Sequence, residues 1–142
     1  MNYNRLIAQL IHDEGDEQFA YQDQFGYWTI GIGRCIDRRR GKGLSKDERR
    51  FLLENDIADW INDLRIHLPW FDSLNDVRQE VFINMAHQMG IDGLLKFKNT
   101  LGHASREEYK EASEAMLDSV WAKSQTPDRA KRLARMMETG EV

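Results

Sequence analysis

Apolar residues at Tyr3, Leu6, Ile7, Leu10 and Ile11 follow the i, i+3, i+4, i+7, i+8 spacing of a helix with one buried stripe. Asn2 is placed to cap its start, and Gly15 ends it. Beyond it, Phe19-Ala20-Tyr21 and Tyr27-Trp28-Thr29-Ile30-Gly31-Ile32 are rich in aromatic and β-branched side chains. Asp23-Gln24-Phe25-Gly26 between them carries turn chemistry, which predicts a hairpin. Gly31 and Gly33 bracket a point where a side chain would obstruct either a tight bend or a close ligand approach. From Arg34 to Gly43 the pattern is that of an exposed loop, with the Arg38-Arg39-Arg40 charges solvated.

The remaining periodicity is helical. Ser45-Lys46-Asp47-Glu48 reads as a capping box opening a stripe of Leu53, Ile57, Trp60, Ile61, Leu64 and Leu68, which Pro69 stops. This helix of roughly six turns is suited to join two lobes. Asp72 or Ser73 is placed to cap the next helix, which runs through Val77, Val81, Met85 and Met89 to Gly90. Ser105 with Glu108 reads as a second capping box, ahead of Tyr109, Ala112 and Met116, and Val120-Trp121 begins a short piece. Thr126-Pro127, an N-cap followed by an N1 proline, starts a last helix with Ala130, Leu133 and Ala134, closed by Gly140. The fold expected is α+β, mainly α, in one domain over residues 1–142. Its parts are a small hairpin lobe at about 13–50, a connecting helix at about 46–68, and a helical lobe at about 69–142 to which helix 3–14 belongs.

Composition narrows the class. With 142 residues, 41% hydrophobic, 31% charged and only two prolines, the chain is an ordinary globular domain with uninterrupted helices. A net charge of -4 argues against a surface devoted to nucleic acid, while leaving room for a local basic patch. Cys35 is the one cysteine, so no intramolecular disulfide can form. A basic segment followed by an apolar one is not seen at the N-terminus, nor is there a run of about 18 apolar residues, so synthesis in a cytoplasm without a membrane span is expected.

Three residues suggest chemistry. Glu14 lies on the apolar stripe, three residues after Ile11 and four after Leu10. Burial there would disfavour its charged form and raise its pKa towards that of a general acid at neutral pH. A helix-end glutamate reaching into water is the other reading, and the stripe alone does not choose between them. Asp23, in a polar turn, would stay ionised and could activate a water, or it could serve only as an Asx-turn residue. Thr29 could hold a water through its hydroxyl, or be simply a good strand former. Together, a protonated carboxyl, an ionised one and a hydroxyl on the adjoining strand are what glycoside hydrolysis requires. No His, Cys or carboxylate group has metal-ligand spacing, so neither metal nor cofactor is expected.

The segments HDEG, YQDQFGYWTIGIG, LSKDE, INMAHQMG and SQTPDRAKR, in this order and spacing, resemble the phage-type lysozymes, the group to which the T-even phage enzyme belongs. The resemblance covers almost the whole chain. It implies a muramidase that cuts the β-1,4 bond between N-acetylmuramic acid and N-acetylglucosamine in peptidoglycan, with inversion. The family's catalytic residues fall on Glu14, Asp23 and Thr29, its cleft-lining residues on Cys35, His87, Gln88 and Thr100, and the arginine supporting the glutamate on Arg129. Such an enzyme would be a monomeric phage or prophage endolysin, accumulating in the host cytoplasm and reaching the wall with the help of a separate holin. A virion-associated enzyme is equally compatible. The rivals are a lytic transglycosylase, which needs Glu14 but no activated water, and a catalytically silent wall-binding protein of the same fold. Three departures from the T-even enzyme stand out: a shorter segment between Gly33 and Ser45, Arg34-Cys35 in place of a histidine and a leucine, and no aromatic tail after Gly140. The T-even enzyme is also basic, so affinity for acidic wall polymer would rest here on patches such as Lys123, Arg129, Lys131, Arg132 and Arg135.

Overall fold

In the computed structural model, which describes all residues from Met1 to Val142, the first helix α1 (Tyr3–Glu14) starts at the expected cap. The Asn2 side chain accepts from the Arg5 N–H at 3.0 Å, satisfying one of the free donors of the first turn. Gly15 ends the helix with φ +79°, its N–H returning to the Ile11 carbonyl. The apolar stripe, however, is not buried: Tyr3, Leu6, Ile7, Leu10 and Ile11 are between 37% and 68% exposed. This corrects the expectation of an enclosed face.

The chain forms two compact units, Met1–Leu52 and Leu53–Val142. In the first, β1 (Glu17–Gln22), β2 (Trp28–Gly31) and β3 (Arg34–Cys35) make an antiparallel sheet in the order β1-β2-β3. The hairpin is as predicted, but the third strand is new, because the sequence pattern puts Arg34 and Cys35 in a loop. Thr29 sits on the central strand, opposite Tyr21 on one side and Cys35 on the other. A unit this small cannot enclose much apolar volume, and only Thr29 and Asp37 are buried in it.

Helix α2 (Lys46–His67) begins in the first unit and continues into the second. Its capping box is reciprocal: Glu48 N–H donates to Ser45 Oγ, and Ser45 N–H donates to Glu48 Oε2, both at 3.2 Å. Along the predicted stripe Leu64 and Leu68 are buried and Trp60 and Ile61 partly so, whereas Leu53 is 44% exposed.

The second unit is built on α3 (Asp76–Leu95), α4 (Lys98–Ser105), α5 (Tyr109–Leu117) and α6 (Pro127–Thr139). Val81, Phe82, Met85 and Ala86 on α3 have no solvent exposure, and Phe82 meets Trp70 edge-on at 5.8 Å. The cap of α3 is Asn75, not Asp72 or Ser73, with its Oδ1 accepting from the Arg78 N–H. The two expected residues are taken up in a 3-10 turn (Phe71–Ser73), where Asp72 pairs with Arg65 and Ser73 donates to the Trp70 carbonyl. Gly90, with φ +75° and ψ 166°, breaks the helix before a last turn to Leu95.

The second capping box is not formed. Ser105 ends α4, its hydroxyl donating to the Gly102 carbonyl, while Glu108 pairs with Arg106 and His103. A wide turn at Trp121–Gln125 follows, closed by the Thr126 N–H on the Trp121 carbonyl. Pro127 opens α6 as predicted, and Gly140 ends it in the left-handed conformation. The last carbonyls of α6 are satisfied across the unit: Arg78 donates to Met137 O at 2.8 Å and Glu138 O at 3.0 Å, and Asn75 Nδ2 donates to Gly140 O.

Candidate active site

In the first unit the hydrogen bonds of Asp23 and Thr29 meet at Tyr27. Asp23 Oδ1 accepts from the N–H groups of Phe25 at 2.8 Å and Tyr27 at 2.9 Å, which makes the turn predicted for it. The Asp23 N–H donates to the Tyr27 carbonyl at 2.9 Å. That same carbonyl accepts the Thr29 hydroxyl at 3.1 Å. One residue's backbone therefore ties Asp23 to Thr29, which is only 5% exposed. Asp23 Oδ1 is committed to the turn, and Oδ2 has no hydrogen bond within the protein.

Glu14 approaches the other end of β2. A Cβ added at Gly33 would lie 2.6 Å from Glu14 Oε2 and 2.8 Å from its Cδ, so a side chain there would displace this carboxyl. Gly33 also has φ +67° and Gly31 φ +66°, so the β2–β3 connection needs glycine for the bend as well. Of the two roles open to these glycines, the bend holds for both, and the close approach is made by the protein's own Glu14. Glu14 is an exposed residue, not buried with Leu10 and Ile11, which are 44% and 38% exposed. The enclosure by the apolar stripe expected for Glu14 is therefore not found.

The loop after β3 leaves Arg38, Arg39 and Arg40 exposed, as its sequence suggests, but it is ordered by a buried aspartate. Asp37 is 6% exposed and accepts from the Trp28 N–H at 3.2 Å, and from Arg39 through its N–H, Nε and Nη2, each at 2.9 Å. The Arg39 guanidinium, its backbone N–H and the Trp28 N–H together hold the Asp37 carboxyl well below the usual carboxylate range, against the opposing effect of burial. Arg34 forms a bidentate pair with Glu48 at 2.8 and 3.0 Å and also reaches the Gly43 carbonyl. The Arg34 bonds first, then the Ser45 N–H, lower Glu48 to about 2. β3 thus carries an ion pair through Arg34.

In the second unit, His87 and Arg129 line one cavity of about 240 Å³ together with Leu53, Ile57, Glu80 and Asn84. Arg129 is fixed by Asn84, donating to its side-chain oxygen through Nε at 2.8 Å and Nη2 at 2.6 Å. His87 Nδ1 accepts from Trp60 Nε1. Gln88 is bound at both ends, accepting from Trp121 Nε1 at 2.9 Å and donating to Thr126 Oγ1 at 3.3 Å. Thr100, 1% exposed, lines a separate cavity of about 590 Å³ with Phe97, Trp121 and Gln125. The structure thus joins Asp23 to Thr29, sets Cys35 beside Thr29 in register, and groups His87 with Arg129. Sequence reasoning missed Asn84, Asp37 and Arg39. An aspartate two residues before an arginine between two glycine-marked turns was the available signal for the last two.

A small antiparallel sheet bearing an ordered aspartate and threonine, a glutamate at the end of the preceding helix, and a larger helical unit define an α+β lysozyme-like fold, mainly α. The phage lysozyme family model matches residues 12–136, and the chain belongs to that family. It is 28% identical over 159 aligned positions to "Probable T4-type lysozyme 1" of Dictyostelium discoideum, covering 94% of this chain and 93% of that one. "Probable T4-type lysozyme 2" of the same organism is 28% identical over 96% of this chain and 95% of its own length. Identity rises to 32% over 167 positions with the "Pre-baseplate central spike protein Gp5" of Enterobacteria phage T4, covering 99% of this chain but only 29% of that protein. These alignments are longer than the 142-residue chain, so the relatives carry residues that it lacks. Family membership supports a glycoside hydrolase of the muramidase-like, peptidoglycan-degrading kind. No helix is long and apolar enough to cross a membrane.

Proposed function

We propose that this protein hydrolyses the β-1,4 bond between N-acetylmuramic acid and N-acetylglucosamine in peptidoglycan, with Glu14 as general acid and Asp23 with Thr29 placing the water. The observation that carries this reading is the turn around Tyr27. Because the Thr29 proton is given to the Tyr27 carbonyl, its oxygen can only accept from a water. Asp23 Oδ2, free within the protein, can accept the other proton. A water donating to both has its lone pair left for the anomeric carbon. Asp23 takes a proton as the C–O bond forms, while Glu14 gives one to the departing sugar oxygen, and the configuration inverts.

The family's substrate contacts carry over as proposals onto Cys35, His87, Gln88 and Thr100, with Arg129 in the supporting role. We assign the protein to phage or prophage lysis, as a monomer made in the host cytoplasm whose access to the wall depends on a separate holin. The test is cell-wall clearing by wild type and Glu14→Gln, with mass spectrometry of the products. The variant should lose roughly 10²–10⁴-fold in rate, and wild-type products should carry one added water. Equal clearing by both proteins, or by neither, contradicts the assignment, and anhydro ends would make the enzyme a lytic transglycosylase.

A further inference from the structure

We propose that Asp37 and Arg39 are positioning residues for the reaction, forming a clasp that fixes the Tyr27 backbone and, through it, Asp23 and Thr29. This inference rests on the catalytic reading of Asp23. Tyr27 makes three of the bonds that order the pair: its N–H to Asp23 Oδ1, and its carbonyl from the Asp23 N–H and the Thr29 hydroxyl. The clasp grips the backbone on both sides of it. Ahead of Tyr27, Arg39 Nη2 donates to the Gly26 carbonyl at 3.0 Å, and after it the Trp28 N–H donates to Asp37 Oδ2 at 3.2 Å. The Arg39 guanidinium also lies 5.1 Å from the centre of the Tyr27 ring.

The clasp is itself held in place. Three bonds from Arg39 converge on the Asp37 carboxylate, and the Ile36 and Asp37 N–H groups both donate to the Trp28 carbonyl, so the loop is anchored to β2. A Cβ at Gly41 would collide with the Cys35 carbonyl, and the Gly41 N–H donates to the Asp37 carbonyl, so the loop folds back directly behind β3. A unit with no fully buried apolar side chain has little hydrophobic packing with which to fix this turn. A charge-assisted pair whose carboxylate is buried, Asp37 with Arg39, supplies directed bonds for doing so. Its placement within the short segment between Gly33 and Ser45 means that the shortened lobe contains its own brace.

The test compares Arg39→Gln and Asp37→Asn with wild type, using Arg38→Gln as the control for loss of a loop charge, since Arg38 is exposed and has no part in the clasp. Hydrogen exchange at the Phe25 and Tyr27 amides and steady-state kinetics on wall glycan are the readouts. Both clasp variants should speed exchange at these amides and lower kcat by roughly 10-fold to 100-fold, with KM within about twofold. Arg38→Gln should match wild type in both readouts. If Asp37→Asn does not fold, Arg39→Gln decides alone, because its side chain is 66% exposed. Unchanged kcat, or a change confined to KM, overturns the proposal whatever the exchange result. Full activity in Asp23→Asn also removes it, by removing the catalytic reading. That failure is told apart by exchange, which would still respond to Arg39→Gln.

Discussion

In the first 52 residues the only buried side chains, Thr29 and Asp37, are polar, whereas from Leu53 onward the protein buries nineteen apolar ones. The first unit is ordered by directed bonds: the Tyr27 hub, the Asp37–Arg39 clasp, the Arg34–Glu48 pair and the Ser45 capping box. The second is ordered by packing around Phe82, Met85, Leu64 and Met116, with polar bonds at the end of α6 and between helices. Hydrophobic burial is non-directional and supplies most of a domain's stability, while hydrogen bonds fix orientation and contribute less net free energy each. The residues proposed to do chemistry on the glycan lie where geometry is set by direction. The two units should therefore respond to different perturbations.

Largest should be the contrast between two substitutions. Glu14→Gln removes a proposed proton donor on an exposed residue, so the loss of activity should leave thermal unfolding almost unchanged. Phe82→Ala creates a cavity in a fully buried site and should cost about 3–5 kcal/mol of stability by denaturant titration. At a temperature where that variant remains folded, its kcat should stay close to wild type. Two variants that each lowered both quantities in proportion would remove the division of labour.

A smaller effect should come from acid. Glu48 is lowered from 4.5 to about 2, chiefly by Arg34, and Asp37 is lowered by Arg39. For a carboxylate with a depressed folded-state value, the stabilisation is complete above the unfolded value and is lost as pH falls through the folded one. Amide protection around Arg34 and Ser45 should thus decline between pH 4.5 and about 2. The second unit carries lowered carboxylates too, at Glu108 beside Arg106 and His103 and at Asp118 beside Lys123. None of these belongs to its apolar core, so exchange at the Val81 and Phe82 amides should hardly change over that range. Equal loss in both units would contradict the contrast.

What the sequence made legible follows the same divide between local and distant causes. Ser45-Lys46-Asp47-Glu48 and Ser105-Arg106-Glu107-Glu108 share one capping pattern, yet only the first forms a box. Ser45 is reached from a loop and is free to cap. Ser105 is still inside α4, and Glu107 turns left-handed at φ +62° before α5 starts. The pattern therefore depends on how the chain arrives, which four letters do not encode. Asn75 displaces Asp72 and Ser73 as the cap of α3 because neighbouring contacts have already claimed both of them. Asn2, Pro127 and Gly140 are readable because their roles are local. At the site, the turn of Asp23 and the strand of Thr29 can be read from the residues around them, but the bonds through Tyr27 depend on three-dimensional approach. The stripe on α1 has helical spacing, but spacing alone does not state whether anything covers it.

The central claim, that Asp23 and Thr29 place a water opposite an acidic Glu14, is tested most directly by NMR of the anomeric configuration of freshly released product. Inversion at the β-linkage predicts that the new reducing end appears first as the α anomer and mutarotates afterwards. Product that appears first as the β anomer would mean that the glycan is attacked twice on the same carbon, and that the water-placing role assigned to Asp23 and Thr29 is wrong.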